Sequence, residues 1–287
     1  MHRKLLKNGI EIICFQTGTV AVHPPHREYQ GIPALRIPSI MLSSSWTIDL
    51  PITVWLIKSP EGIFLVDTGE NVNFFDEDYF GTDKPTAFIN RRILKIKLTE
   101  AEQINSQLSH LDLSEADVDA IVLTHLHIDH TDGLRFFPNS EVLVSETVWK
   151  RPFGAATTTF PQNFAPKQIE YAPSDSPFRA AYQLTKNITI VPTPGHTFGH
   201  QSIIVHDDEI DYMLAGDTSF SDVQLLQGKR AGIIIDWGAA KNSYEKIKTY
   251  AAEKPLVYLP SHDLNTTQRL MASELLIAKP EHDDESN

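Results

Sequence analysis

Five short apolar runs in this chain each stop at an aspartate or a histidine, and that recurrence constrains the fold more than any other feature of the sequence. Ile63–Val66 leads into Asp67, and Ala120–Thr124 leads into His125. Ile188–Val191 is followed by Thr193-Pro194-Gly195-His196, Tyr212–Gly216 by Asp217, and Leu256–Leu259 by Pro260-Ser261-His262. Apolar, β-branched runs of this length bounded by turn residues read as buried strands. Taken singly, a strand-end histidine or aspartate reads as a cap or a solvated surface group. Five of them, in a chain where helical and extended patterns alternate, point to a layered α/β fold whose site is assembled from strand-end loops. Further strands are expected at Ile10–Phe15, Thr53–Ile57, Glu141–Val144 and Gln201–Val205. Helices are expected from Thr99, where Thr99-Glu100-Ala101-Glu102 has capping-box spacing, to about His110, and again at Ser114–Val118 and near Ser243–Ala252.

The densest of the strand ends is Thr124-His125-Leu126-His127-Ile128-Asp129-His130-Thr131-Asp132-Gly133. Imidazole nitrogen and carboxylate oxygen are ligands that Zn²⁺ and related cations prefer. On a helix His125 and His127 would lie on nearly opposite sides, so only an extended or loop conformation aims both at one ion.

Composition narrows the rest. A chain of 287 residues with 41% hydrophobic content can bury a sizeable core, and one domain over 1–287 is expected. The single cysteine, Cys14, excludes an internal disulfide and sits among apolar neighbours as a buried thiol. Met1-His2-Arg3-Lys4 is followed by only Leu5-Leu6, short of a signal peptide, and no run reaches membrane-spanning length, so the cytoplasm is the expected location. A net charge of −12 repels a nucleic-acid backbone and favours a small-molecule substrate. Three segments read as irregular insertions that cover a site: 22–50, with Met41, Leu42 and Trp46; 70–98; and 151–184, both rich in aromatic residues. His23 and His26 fit no ligand pattern. The acidic tail 281–287 is expected to be disordered.

The run His125-x-His127-x-Asp129-His130, followed at increasing distance by His196, Asp217 and His262, resembles the metallo-β-lactamase superfamily from about Thr53 to Asp263. The resemblance implies a four-layer αββα sandwich with a two-metal site at one edge of its sheets. His125, His127 and His196 would hold one divalent ion, most commonly Zn²⁺, and Asp129, His130 and His262 a second, with Asp217 bridging them. Asp67 matches the acid that orients ligand imidazoles by accepting their other N–H. Asp132 stands where the family commonly has glycine.

Within the superfamily, Thr193–Ser202 and Ser261-His262-Asp263 are similar to the N-acyl homoserine lactone lactonases, the quorum-quenching branch. The implied reaction is opening of the lactone ring by a hydroxide shared between two ions roughly 3.5 Å apart, with Asp129 passing the proton to the leaving alkoxide. Met41, Trp46 and Phe220 are expected in the substrate pocket, and an acyl lactone is the expected partner, with room for a homodimer. One departure concerns the substrate. Lactonases carry a tyrosine three residues after the bridging aspartate, whose hydroxyl donates to the substrate carbonyl; here that position is Phe220, and loss of one such donor costs roughly 3 kcal/mol. A hydrolase of another lactone or ester is therefore the leading alternative. Glyoxalase-II-like thioesterases usually add a helical domain longer than the 25 residues after His262 (287 − 262), and nucleases of the superfamily favour basic surfaces. A mono-iron persulfide dioxygenase and a metal-free binding protein complete the readings, the last disfavoured because no ligand position is lost.

Overall fold

The computed structural model describes residues 1–277. Fourteen strands form two sheets among these residues. The first contains β1 (His2–Leu5), β2 (Glu11–Val22), β3 (Leu50–Ser59), β4 (Gly62–Val66), β5 (Leu94–Lys97), β6 (Ala120–Val122), β7 (Glu141–Ser145) and β8 (Lys167–Ile169), in the order β1-β2-β3-β4-β6-β7-β8 with β5 added beside β2. The second contains β9 (Ala172–Pro173), β10 (Ala180–Thr185), β11 (Ile188–Pro192), β12 (Gln201–His206), β13 (Asp211–Gly216) and β14 (Leu256–Pro260), ordered β14-β13-β12-β11-β10-β9.

The pleat sorts side chains into layers. On β3, Trp55 and Ile57 face the second sheet and meet Ile203, Val205, Leu214, Val257 and Leu259 in the core between the sheets. Their neighbours Val54 and Leu56 point outward, to a core that includes Ile104 and Leu108. On the second sheet, Ile204 and Met213 point outward and meet Tyr244 and Ile247. Strands buried on both faces need helices outside. These are α1 (Pro24–Arg27), α2 (Arg36–Leu42), α3 (Lys84–Ile93), α4 (Ile104–Ser109), α5 (Ile128–Thr131), α6 (Glu146–Lys150), α7 (Asp222–Leu226), α8 (Trp237–Glu253) and α9 (Thr266–Ala272). The outcome is the αββα sandwich. None of these helices is long and apolar enough to cross a membrane.

Strand direction explains why the site residues meet. β4 and β6 pair in parallel, as do β13 and β14, while β11 runs with β13 because both are antiparallel to β12. The C-terminal ends of β4 and β6, and those of β11, β13 and β14, therefore each fall on one edge of their sheet. Two hydrogen bonds from Gln201 then join the edges: its backbone N–H donates to the Thr124 carbonyl at 3.0 Å, and its side-chain Nε2 donates to the Leu123 carbonyl at 2.8 Å.

Several local expectations are corrected. The helix expected over Thr99–His110 is broken: the capping box closes a 3₁₀ turn, Glu100–Glu102, and Gln103 then turns extended with ψ 149° before α4 begins. The Gln103 side chain accepts a hydrogen bond from Val72 N–H at 3.1 Å, so a tertiary contact outweighs helix continuity. Segment 22–50 is not irregular but folds as α1, a 3₁₀ turn and α2, and segment 70–98 supplies α3 and β5. Segment 151–184 contributes β8, β9 and most of β10, and its Phe178 joins the outer core beside Tyr250. The tail 281–287 lies outside the described residues.

Candidate metal centre

Each strand-end residue reaches the shared edge for a local reason. Asp67 leaves β4 with φ 61°, a left-handed conformation that aspartate tolerates better than most residues, and this sharp turn keeps its carboxylate beneath the histidine loop. There it accepts hydrogen bonds from Thr124 N–H at 2.7 Å and from the Thr124 hydroxyl. Gly133 passes so close to the Thr68 carbonyl that a Cβ would approach it to 2.3 Å, which explains a glycine at that position. Asp132 has ordinary helical dihedrals (φ −71°, ψ −22°), open to any residue, so its replacement of glycine leaves the loop intact. Its buried side chain instead receives the Tyr79 hydroxyl and lies beside the buried Glu70 carboxyl; burial pushes both carboxyls up, Glu70 far above its ordinary range.

Four imidazoles are aimed through Nδ1. His130 Nδ1–H donates to Asp67 at 2.7 Å, His196 Nδ1–H to the Ile233 carbonyl at 3.0 Å, and His262 Nδ1–H to the Pro51 carbonyl at 2.7 Å. The Thr124 hydroxyl already donates to Asp67, so it accepts from His125 Nδ1–H at 3.0 Å. Fixing a proton on Nδ1 directs each Nε2 inward, with a free lone pair whenever the ring is neutral. His127 is turned the other way. Its Nδ1 sits 2.9 Å from His196 Nε2, and its Nε2 lies against Gly154, where a Cβ would come within 2.6 Å.

The side chains gather into three overlapping groups, His125/His127/His196, His125/His130/Asp217 and Asp129/His130/His262, with ligand atoms inside 4.8 Å in each. Asp217 lies between them. Its Oδ2 is 3.4 Å from His196 Nε2 and 4.0 Å from His125 Nε2, while its Oδ1 is 3.3 Å from His130 Nε2 and 3.4 Å from His262 Nε2. Asp129 Oδ2 is 3.2 Å from His262 Nε2.

Electrostatics divides the cluster. Burial, reinforced by neighbouring imidazoles, holds His125 and His196 neutral well below the usual histidine range. For His262 and His130 burial opposes the charge, but the facing carboxylates win: Asp217 and Asp129 lift His262 to about 10, and Asp217 with Asp67 lifts His130 well above its ordinary value. His125 Nε2, His130 Nε2 and Asp217 Oδ1 are buried without a hydrogen-bond partner. Buried polar atoms are rarely left so. Converging lone pairs and an orphaned carboxylate oxygen fit divalent cations, which these seven residues could hold.

The centre forms the floor of a cavity of about 480 Å³. Its walls come from β2, α2, α3 and the loop at Phe153, and they include Met41 and Phe220. Trp46 does not line it, contrary to expectation: its ring packs 4.0 Å from the His23 ring and under the Lys95 ammonium, behind the wall. Sequence reasoning also passed over His26, which lines the cavity beside Phe220. The available signal was the prolines of His23-Pro24-Pro25-His26, which start α1.

Comparison with known proteins identifies the family and the fold. The family model described as metallo-beta-lactamase superfamily matches residues 47–262. An N-acyl homoserine lactonase of Bacillus sp is 25% identical over 221 residues, covering 76% of this chain and 83% of the relative. In three dimensions the chain is similar to an N-acyl homoserine lactone hydrolase with the product N-hexanoyl-L-homoserine bound at its catalytic metal centre, with a TM-score of 0.73, 19% identity, and coverage of 90% and 94% of the two chains. It is also similar to a dizinc quorum-quenching lactonase, with a TM-score of 0.63, 18% identity, and coverage of 91% and 89%.

Proposed function

The chain belongs to the metallo-beta-lactamase superfamily and is a metal-dependent hydrolase, and from that premise we propose that it opens the lactone ring of N-acyl homoserine lactones on a dinuclear centre. The observation that carries the dinuclear part is the Asp217 carboxylate, whose two oxygens face two different sets of imidazoles. His125, His127 and His196 would hold one ion, Asp129, His130 and His262 would hold the other, and Asp217 would be shared. A donor set of imidazoles and carboxylates, without thiolate, suits Zn²⁺. When bound, the two cations supply a water activated near neutral pH and positive charge beside the carbonyl oxygen.

The chain's own residues complete the reaction. Burial alone would raise the Asp129 carboxyl, but His130 and His262 hold it below the usual carboxylate range, so it is ionised at neutral pH. It can then accept a proton from the attacking water and return it to the ring oxygen as the carbonyl C–O bond breaks. Water and lactone become one hydroxy acid, with no other reactant. Ile37, Ile40, Met41, Ile89, Ile93 and Phe153 make the cavity walls apolar, which supports an acyl chain on the substrate. The names of the relatives support the same reading.

Phe220 favours the second reading, a hydrolase of another lactone or carboxylic ester on the same centre, because the hydroxyl that lactonases present there is missing. A pH-indicator assay comparing acyl homoserine lactones with simple lactones, aryl esters and a thioester decides between them. Preference for the acyl homoserine lactones is expected, and equal rates on the other esters would favour the second reading. Metal analysis should give two divalent ions per chain. Asp217→Ala should lower both metal content and turnover, by more than the roughly 10–100-fold that loss of an outer-sphere partner costs.

A further inference from the structure

We propose that the His26 imidazole donates the hydrogen bond to the substrate carbonyl that Phe220 cannot, so that the donor has moved from the β13–α7 loop to α1. The inference rests on the lactone-hydrolase reading and names a substrate-contacting residue within it.

Geometry places the two rings as one wall. Phe220 stacks on His262, with centroids 5.7 Å apart and planes 27° apart, and His26 meets the Phe220 ring edge-on at 6.0 Å and 86°. Both line the cavity with Asp129 and Asp217. The His26 ring is buried, and its Nδ1 has no hydrogen-bond partner. A histidine serving only the core would normally have both nitrogens satisfied, as His200 does: its Nδ1 is 2.9 Å from the Thr193 hydroxyl, and its Nε2 accepts from Asp217 N–H at 3.0 Å. A buried imidazole in the cavity wall with an unpaired nitrogen is suited to turn its N–H to a carbonyl oxygen that arrives with the ligand. Burial also pushes His26 down to about 3, so the ring is neutral and carries one N–H, and cations nearby would act in the same direction.

The backbone that carries the ring is held. Gly232 N–H and Ile233 N–H both donate to the His26 carbonyl, at 2.8 and 3.2 Å, and a Cβ on Gly232 would come within 1.7 Å of the Pro25 carbonyl. The Ile233 carbonyl is the same group that aims His196. Phe220 is tied to α1 as well: its N–H donates to Gln224 Oε1 at 2.7 Å, and Gln224 Nε2 donates to the Arg27 carbonyl at 2.8 Å. Two ties to α1, the Gly232–Ile233 backbone and the Gln224 side chain, thus hold the His26 segment beside a metal-site imidazole and the phenyl ring that lacks a hydroxyl. Preorganisation of this kind is what a transition-state donor requires.

The test is a set of variants assayed on an acyl homoserine lactone, with metal content and Tm measured on each. His26→Phe should lower kcat by roughly 10²–10³-fold, the cost of one lost oxyanion donor, with metal content unchanged. His26→Gln, which keeps an N–H, should retain part of the activity, and Phe220→Tyr introduced into His26→Phe should restore most of it from the neighbouring ring. Binding gives a readout apart from turnover: calorimetry with the corresponding lactam, which keeps the carbonyl, should show roughly three- to tenfold weaker binding in His26→Phe. Wild-type kcat in His26→Phe would overturn the inference alone. Equal losses in His26→Phe and His26→Gln with no recovery on adding Phe220→Tyr would overturn it too, in favour of packing. A wild type that opens no lactone would overturn both the inference and the reading beneath it.

Discussion

At the centre, single atoms decide what the cluster binds. In the metal-free protein, burial disfavours a charge on His262, yet Asp217 and Asp129 raise it to about 10, and His130 is raised well above its ordinary value by Asp217 and Asp67. Both folded values lie above the unfolded one of roughly 6.5. These protons therefore stabilise the metal-free fold fully below pH 6.5, and the benefit disappears as pH rises through the folded values. A cation at the centre must displace them. Metal uptake at pH 7–8 is expected to release about two protons, one from each ring, and affinity is expected to rise with pH up to the His262 value. Titration calorimetry in buffers of different ionisation enthalpy measures this directly, and identical heats in all buffers would refute it. At this scale the sequence was informative for the seven candidate ligands, because their chemistry is carried by residue type. It said nothing of His26, whose importance depends on an unpaired nitrogen and on a phenyl ring 194 positions away in sequence (220 − 26).

Elements were legible where their signal was local. A β-branched run that stops at a polar turn can be read from a few residues, and β4, β6, β11, β13 and β14 all lie where such runs occur. Of the helices that wall the cavity, α3 has a start signal, the Asp83 side chain capping Thr86 N–H with Pro85 in the first turn, whereas α2 has no side-chain cap. α2 contains Pro38 and follows a proline-rich stretch, and the apolar residues of α3 serve the cavity as much as a core, so neither presents one regular buried face. Those same elements make a prediction about chain length. Ile37 on α2 and Ile89 on α3 line the cavity and remain 49% and 46% exposed, which places them at its mouth, where a charge can stay solvated. A buried methylene contributes about 0.8 kcal/mol, or nearly fourfold, so kcat/KM should climb along an acyl series while each added carbon still meets the apolar wall. Ile37→Glu with Ile89→Glu should flatten that climb for chains long enough to reach the mouth and leave butanoyl substrates unaffected. Parallel slopes in wild type and variant would show that the acyl chain leaves the protein by another route.

Across the whole molecule, the centre joins the two sheets. Asp67, His125, His127, Asp129 and His130 follow strands of the first sheet, whereas His196, Asp217 and His262 follow strands of the second. The sequence gives no direct sign of this partition, since which sheet a strand joins is settled by pairings between distant segments such as β4 with β6 and β13 with β14. Between the sheets the core is continuous, with Trp55, Val122 and Leu143 packed among Ile203, Leu214 and Leu259. Neither sheet can lose its order without exposing the other, so thermal unfolding is expected as a single transition over one cooperative unit. Metal that binds only the folded state adds about 2.7 kcal/mol per site at a hundredfold excess over its Kd. With roughly 2–4 °C gained per kcal/mol for a chain of this size class, each occupied site should raise Tm by about 5–10 °C. The rise should move the entire transition, because on the proposed assignment each cation would draw ligands from both sheets: His196 from the second would join His125 and His127, and His262 would join Asp129 and His130. Scanning calorimetry of holoprotein and chelator-treated protein distinguishes the possibilities. A transition that splits, with only one part sensitive to chelator, would mean that the two sheets unfold separately and that the metal belongs to one of them.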